Sequence, residues 1–188
     1  MMKISFWCIA LLIVLASCSN EIDYYPKPRG FMRLDFPDRT YDIYQPDSCP
    51  YQFEIPDYFE VIDKSNCNKD IQMDRFNATL FLTYLPLDTN LNMNIEYSRK
   101  LVYDHSIKAD AIEETTIINQ NKQAYGLKYD IKGNAASPYQ FYMTDSVNHF
   151  LRGALYFNVK PNYDSIQTSL TYIAEDLDRI LKTVSWNE

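Results

Sequence analysis

The chain has 188 residues, of which 46% are hydrophobic, so it is long and apolar enough to bury the core of one ordinary domain. Its 25 acidic residues exceed its 18 basic residues, and the net charge of −7 argues against nucleic acid as a partner, because little basic charge is free to neutralise phosphates. Four glycines and two histidines argue against glycine-rich phosphate loops and dense histidine metal sites.

The first 18 residues have the pattern of an export signal. Lys3 is the only charged residue there, and an apolar run from Phe6 to Ala16 follows it. At about 1.5 Å per residue, this run covers about half of a bilayer core, so it predicts a cleaved signal rather than a membrane-spanning helix. Leu15-Ala16-Ser17-Cys18 resembles a bacterial lipobox. The resemblance implies cleavage after residue 17 and lipidation of Cys18, the alternative being an ordinary signal peptide.

Residues 18–30 are predicted to form a lipid-anchored tether in front of a single domain, residues 31–188. Two or more acyl chains would anchor the chain stably. Loss of Lys3 with the signal would change the net charge from −7 to −8, so attraction to lipid headgroups does not explain the anchoring. Pro26 and Pro28 favour an extended tether. The alternative is a segment that docks on the domain or on a partner.

Cysteine usage predicts one disulfide. Cys8 is removed with the signal and Cys18 is lipidated, which leaves Cys49 and Cys67. An exported domain with two remaining cysteines most simply pairs them. Their spacing is far longer than the Cys-x-x-Cys of a redox-active pair, and no further ligands at the usual spacing indicate zinc. No metal site is predicted.

Alternating or β-branched patterns predict strands on both sides of a central helix. The predicted strands before that helix are 51–55, 59–61, 71–76 and 78–85, and those after it are 111–118, 125–131, 139–143 and 149–159. The last of these is apolar on both faces, which is typical of a central strand.

Two helices are predicted. Residues 92–109 repeat apolar or small side chains at spacings of three and four, with Asn92 as the N-cap and His105 near the end, where it would satisfy the last carbonyls. The second helix begins at Asp164 as its N-cap, and Gln167 completes a capping box. Its apolar positions are Ile166, Leu170, Ile173, Leu177, Ile180 and Val184.

The order of elements predicts an α+β fold with one mostly antiparallel sheet and two packed helices. Residues 53–59 and 180–185 resemble the matching segments of Mog1/PsbP-like domains.

Several stretches, in the expected order behind the lipobox, resemble the gliding motility lipoprotein GldD family. They are Pro26-Lys27-Pro28-Arg29-Gly30, Asp35-Phe36-Pro37, Ser98-Arg99 to Asp104-His105, Ile107-Lys108-Ala109-Asp110-Ala111, Gly133-Asn134-Ala135-Ala136-Ser137-Pro138 and Phe150-Leu151-Arg152-Gly153-Ala154-Leu155-Tyr156-Phe157. The resemblance implies an envelope lipoprotein needed for gliding, in a system tied to type IX secretion, with no known catalytic activity. We predict no cofactor.

Arg152 is a candidate partner or ligand contact. It and His149 fall on opposite faces of the predicted central strand. A charged group among apolar neighbours is costly to bury alone, so Arg152 is expected to pair with a carboxylate, Asp110 or Asp145. The alternative to a partner contact is an internal ion pair that stabilises the sheet.

The turn that contains Asn134 and Ser137 is a second candidate contact, because loops often carry recognition. The alternative is a tight connection with Asn134 in a special backbone conformation. His105 and His149 have no sequence context that indicates catalysis, and no Gly-x-Ser-x-Gly nucleophile elbow is present.

These observations favour a non-enzymatic outer-membrane lipoprotein of the gliding or type IX secretion machinery. Its predicted partners are other envelope proteins of that machinery and the membrane itself, through Cys18. The alternative is a module that binds envelope polysaccharide or peptidoglycan through exposed aromatic side chains. An envelope hydrolase is the weakest hypothesis, because no nucleophile or acid pair stands out.

Overall fold

A computed structural model describes residues 35–104 and 108–187. The chain divides into two compact units, Met1–Asp35 and Phe36–Glu188, and the fold given below is that of the second unit. Several predictions lie outside the described residues: the signal peptide at 1–17, the lipidated Cys18, the tether and the capping role of His105.

The described residues form ten β-strands and two α-helices. The strands are β1 Tyr41–Tyr44, β2 Tyr51–Pro56, β3 Glu60–Asp63, β4 Lys69–Met73, β5 Ala78–Pro86, β6 Ala109–Asn119, β7 Ala124–Gly133, β8 Tyr139–Thr144, β9 His149–Phe157 and β10 Ser185–Trp186. The helices are α1 Leu91–Tyr103, between β5 and β6, and α2 Tyr163–Thr183, between β9 and β10.

The strands form two antiparallel sheets rather than the single predicted one. The large sheet has the order β3-β4-β5-β9-β8-β7-β6, and the small sheet has the order β1-β2-β10. The α+β class, the antiparallel pairing and the two helices are as predicted. The break at Pro56-Asp57 separates β2 from β3, and β2 pairs with β1 and the chain end instead.

The main core lies between α2, the small sheet and one face of the large sheet. The predicted apolar stripe of α2 faces this core, with Ile173, Leu177 and Ile180 at most 1% exposed. A helix with one continuous apolar stripe gains stability by burying that stripe against a sheet. Each large aliphatic side chain buried in this way contributes roughly 1.5–3 kcal/mol.

The start of α2 differs from the prediction. Asp164 lies inside the helix, and the N-cap residue Asn162 makes no side-chain cap. Instead, Oδ1 of Asn134 accepts a hydrogen bond from the backbone N–H of Tyr163 at 2.9 Å. The turn between β7 and β8 therefore supplies the polar partner that this helix end lacks locally.

Helix α1 is shorter than predicted. It ends at Tyr103, and the chain is already in β6 at Ala109, which pairs with Gly133. Asn92 lies inside the helix, and the N-cap residue is Asn90. Pairing with β7 outweighs the helical spacing of the residues after Tyr103, because tertiary contacts override weak local preferences. Buried Val102 packs α1 on the other face of the large sheet, in a second apolar cluster.

Residues 36–40, which we call the N-terminal arm, pack on the surface of α2. The ring of Phe36 stacks on Tyr172 with centroids 4.3 Å apart, and the Arg39 guanidinium lies 4.0 Å from the same ring. Arg39 also donates to the carbonyl of Tyr172 at 2.9 Å. The Tyr172 hydroxyl donates to the carbonyl of Pro37. The arm is therefore fixed by polar and aromatic contacts together.

The predicted pair Cys49 and Cys67 is joined in a disulfide, with Cα atoms 5.5 Å apart. The bridge connects the chain before β2 to the short 3-10 turn Ser65–Cys67 before β4. Of the two helices in the described part of the chain, neither has the length and apolar character needed to cross a membrane.

Candidate functional site

Arg152 lies in the middle of β9, on the face of the large sheet that points away from α2. Its neighbours across the ladder are Thr83 on β5 and Tyr142 on β8. The strand is therefore internal, as its two apolar faces predicted. His149 points to the opposite face, because side chains three positions apart on a strand lie on opposite sides.

The guanidinium of Arg152 has no carboxylate partner within residues 35–104 and 108–187, so the expectation of an ion pair is wrong there. Its Nη2 donates to Oε1 of Gln140 at 2.8 Å. Asp145 is engaged elsewhere, since its Oδ1 accepts the backbone N–H groups of its own turn. A half-buried cation held by one neutral amide retains unmet electrostatic capacity.

Aromatic and apolar side chains surround Arg152 on the outer side of the sheet. We define the Arg152 surface as Phe81, Thr83, Leu85, Tyr97, Arg152 and Tyr156. Phe81 is 41% exposed and Tyr97 is 58% exposed. The rings of Phe81 and Tyr156 meet edge to face, with centroids 5.7 Å apart. Burial lowers the pKa of Arg152, and the nearby Tyr156 and Tyr97 offset this only in part.

The other predicted contact residues do not join this surface. Asn134 is exposed, but its side-chain oxygen caps α2. Ser137 is completely buried, so it is not accessible to a partner. Asp110 lies at a bulge between β6 and β7, beside Gly133. The special backbone conformation falls on Gly133, with φ at +98°, and not on Asn134 as expected.

His149 lies at the start of β9, in a polar groove on the α2 side of the sheet. Its Nδ1 is 2.9 Å from the hydroxyl of Tyr84, and its ring stacks on Trp186 with centroids 5.2 Å apart. It shares no contact with Arg152, so the structure separates the two predicted residues into two places.

Sequence reasoning missed the exposed aromatics Phe81 and Tyr97. Phe81 stands in a nearly continuous apolar run on β5, where alternation no longer distinguishes the inner face from the outer one. Tyr97 could have been found, because on α1 it lies beside the stripe of buried Asn94, Ser98 and Val102 and outside it.

Comparison with solved structures gives a likeness to the solution structure of cyanobacterial PsbP (CyanoP) from Synechocystis sp. PCC 6803. The TM-score is 0.41 at 11% identity, and the match covers 74% of this chain and 92% of that one. A comparison with curated proteins gave no significant match. A model of the family described as gliding motility lipoprotein GldD matches residues 21–186. Because that match spans nearly the whole chain, the chain belongs to the gliding motility lipoprotein GldD family.

Proposed function

We propose that this gliding motility lipoprotein is an outer-membrane component of the type IX secretion and gliding machinery that works by holding partner proteins, without catalysis. The observation that carries the proposal is the Arg152 surface. It combines a half-buried arginine without a carboxylate partner in the described domain with exposed aromatic side chains. Arginine and aromatic residues are the types enriched where proteins bind one another.

The chemistry of the surface specifies the partner. A protein that brings a carboxylate to Arg152 would supply the charge that Gln140 lacks, in a site already partly shielded from water. The rings of Phe81 and Tyr97 would lose exposed apolar area in the same contact. Truncating one member of such a buried interfacial pair costs roughly 2–5 kcal/mol of binding free energy.

The family assignment supports the part of the proposal that concerns anchorage in the membrane. Membership of a lipoprotein family implies anchorage in the cell envelope. In our proposal the acyl chains are attached to Cys18 and residues 18–30 span the distance to the domain. With a net charge of −8 after loss of Lys3, the protein would be held by its acyl chains rather than by attraction to anionic headgroups.

A photo-crosslinking experiment in cells tests the partner contact. The photoreactive residue p-benzoylphenylalanine is placed at Phe81 in one strain and at Ile43 in another. Ile43 is a matched control, because it is 70% exposed on β1, away from the Arg152 surface. We expect Phe81 to crosslink to an envelope protein of the motility or secretion machinery, and Ile43 to give no such product.

The charge requirement is tested in the Phe81 crosslinking strain. Arg152→Gln keeps a side chain that can still bond Gln140, but removes the cation, and it should reduce the crosslinked product at least tenfold. Arg75→Gln is the control, since Arg75 is exposed and forms no ion pair within the described residues. Equal crosslinking in both variants, or equal products from positions 81 and 43, would contradict the proposal.

A further inference from the structure

A polar groove of about 870 Å³ lies on the far side of the large sheet from the Arg152 surface. Four separate parts of the chain meet there: the start of β2, the turn between β6 and β7, the turn between β8 and β9, and the segment at β10. The lining residues used below are Gln52, Gln120, Asn121, Gln123, Asn148 and Asn187, together with Lys122, Asp145, His149 and Trp186. No tyrosine of the described part of the chain lines the groove.

Side-chain amides dominate the groove. Among the described residues, no hydrogen bond is made by the amides of Gln52, Gln120, Asn121, Gln123, Asn148 or Asn187. Three amides outside the groove, those of Asn68, Asn119 and Asn134, bond to backbone groups. Each free amide offers one acceptor oxygen and two N–H donors. The groove therefore presents a dense set of paired donors and acceptors to a ligand.

The charged side chains of the groove are already used by the fold. Nζ of Lys122 donates to the carbonyl of Thr183 at 2.6 Å, at the end of α2. Oδ1 of Asp145 accepts the backbone N–H groups of Val147, Asn148 and His149 at 2.8–2.9 Å. These N–H bonds outweigh the effect of burial and lower the pKa of Asp145, so it stays ionised. Both side chains are held by hydrogen bonds within the fold, and their formal charges are opposite and cancel, so the pair gives the groove no net charge that would select a charged ligand.

An aromatic ring is held at the edge of the same groove. Trp186 stacks on His149 with an interplanar angle of 14°. Its Nε1 donates to the carbonyl of Gln123 at 3.2 Å. On its other side, His149 meets the Tyr84 hydroxyl through Nδ1. These contacts fix the indole without using the neighbouring side-chain amides.

We infer that this groove binds a neutral, hydroxyl-rich saccharide chain of the cell envelope. A sugar hydroxyl both donates and accepts hydrogen bonds, as the free amides do, and the apolar C–H face of a sugar ring can lie against Trp186. A phosphate or an acidic peptide would favour an excess of cations, whereas the charge of Lys122 in this groove is balanced by that of Asp145. A peptide strand would need a long open edge, whereas β10 has only two residues.

This inference is independent of the protein-contact proposal, because the groove and the Arg152 surface lie on opposite faces of β9. Loss of saccharide binding would leave the Phe81 crosslink unchanged, and loss of that crosslink would leave saccharide binding unchanged. The two ideas can therefore fail separately.

Tryptophan fluorescence provides a direct binding assay. Residues 18–188 contain Trp186 as their only tryptophan, so its emission reports on the groove alone. The lipidated chain is purified in a detergent without a sugar headgroup, which would otherwise compete. The probes are N-acetylated chitotriose, maltotriose, soluble peptidoglycan fragments and the delipidated polysaccharide of the outer membrane. The last two probes distinguish peptidoglycan from surface polysaccharide as the source of the ligand.

We expect a saturable change in Trp186 emission with at least one of these probes. The double substitution Gln120→Ala with Asn148→Ala should raise the dissociation constant about tenfold or more, because it removes two amides that bond nothing within residues 35–104 and 108–187. The control is Asn92→Ala with Gln167→Ala, which removes two exposed amides from the helices. No saturable response to any of the four probes, or an equal loss in the control, would overturn the inference.

Discussion

Replacing Asp176 with asparagine tests how the N-terminal arm and the small sheet are held on α2. Asp176 is fully buried and accepts hydrogen bonds from the hydroxyls of Tyr41 and Tyr58. Nε of Arg39 lies 3.1 Å from its Oδ1, which is close enough for an ion pair, although the N–H is not aligned for a hydrogen bond. We predict that Asp176→Asn destabilises the domain while leaving its shape unchanged.

The magnitude follows from the three groups around the carboxylate. Asparagine presents an NH2 donor where the aspartate presents an oxygen, so one of those groups loses its acceptor. A hydrogen bond to a charged group contributes about 1 kcal/mol more than a neutral one. Two weakened bonds and the loss of one of the two carboxylates that pair with Arg39 together give a loss of about 3 kcal/mol in the free energy of unfolding. For a domain of this size, that loss lowers Tm by about 6–12 °C.

The assay is urea and thermal unfolding of the full chain in detergent, followed by circular dichroism. Glu175→Gln is the matched control, because Glu175 pairs with the same Arg39 but its side chain is 63% exposed. An exposed pair contributes less than about 1 kcal/mol. Equal losses in the two variants, or an Asp176→Asn protein as stable as the wild type, would refute the reasoning.

Three further predictions concern the stability of the domain. Burial and the hydrogen bond to Asp176 raise the pKa of Tyr41 to about 12. The stability that protonated Tyr41 contributes is therefore complete below about pH 10 and is lost as the pH rises toward 12. Thermal melts that show no such decline would contradict this. Gly153→Ala would place a Cβ in steric conflict with the Phe141 ring and should cost about 1–3 kcal/mol; an unchanged urea midpoint would argue against it. Asn134→Ala should cost about 1 kcal/mol through the lost cap of α2, whereas Asn134→Asp should retain most of the stability in the same urea assay.

Strand and helix patterns that depend on one segment could be predicted well. The alternation in Tyr125–Ile131 and the apolar stripe of α2 correspond to the observed β7 and α2. The end of α1 and the start of β6 could not be placed, because the pairing of Ala109 with Gly133 depends on a strand that comes later in the chain. Strands β1 and β10 were missed because they are short and rely on β2 for their hydrogen bonds.

For the candidate sites too, features set by nearby residues could be predicted, whereas contacts between distant segments could not. The charge and position of Arg152 on an internal strand could be read from the residues around it. The absence of a carboxylate beside it, within the described domain, could not be read, because the pairing of strands that are distant in sequence decides which side chains come near Arg152. The groove was not predicted at all, since its amides come from distant parts of the chain.

The sequence by itself therefore determined the export signal pattern, the candidate lipid anchor at Cys18, the α+β class and the family, because each depends on residue order along one segment or along the whole chain. Only the tertiary structure decided which polar side chains the fold uses and which it leaves free. The side chain of Asn134 caps α2, and Ser137 is buried. Among the described residues, Arg152 has no carboxylate partner and the amides that line the groove with Trp186 bond no protein group, because contacts between distant segments decide which polar groups come within hydrogen-bond distance.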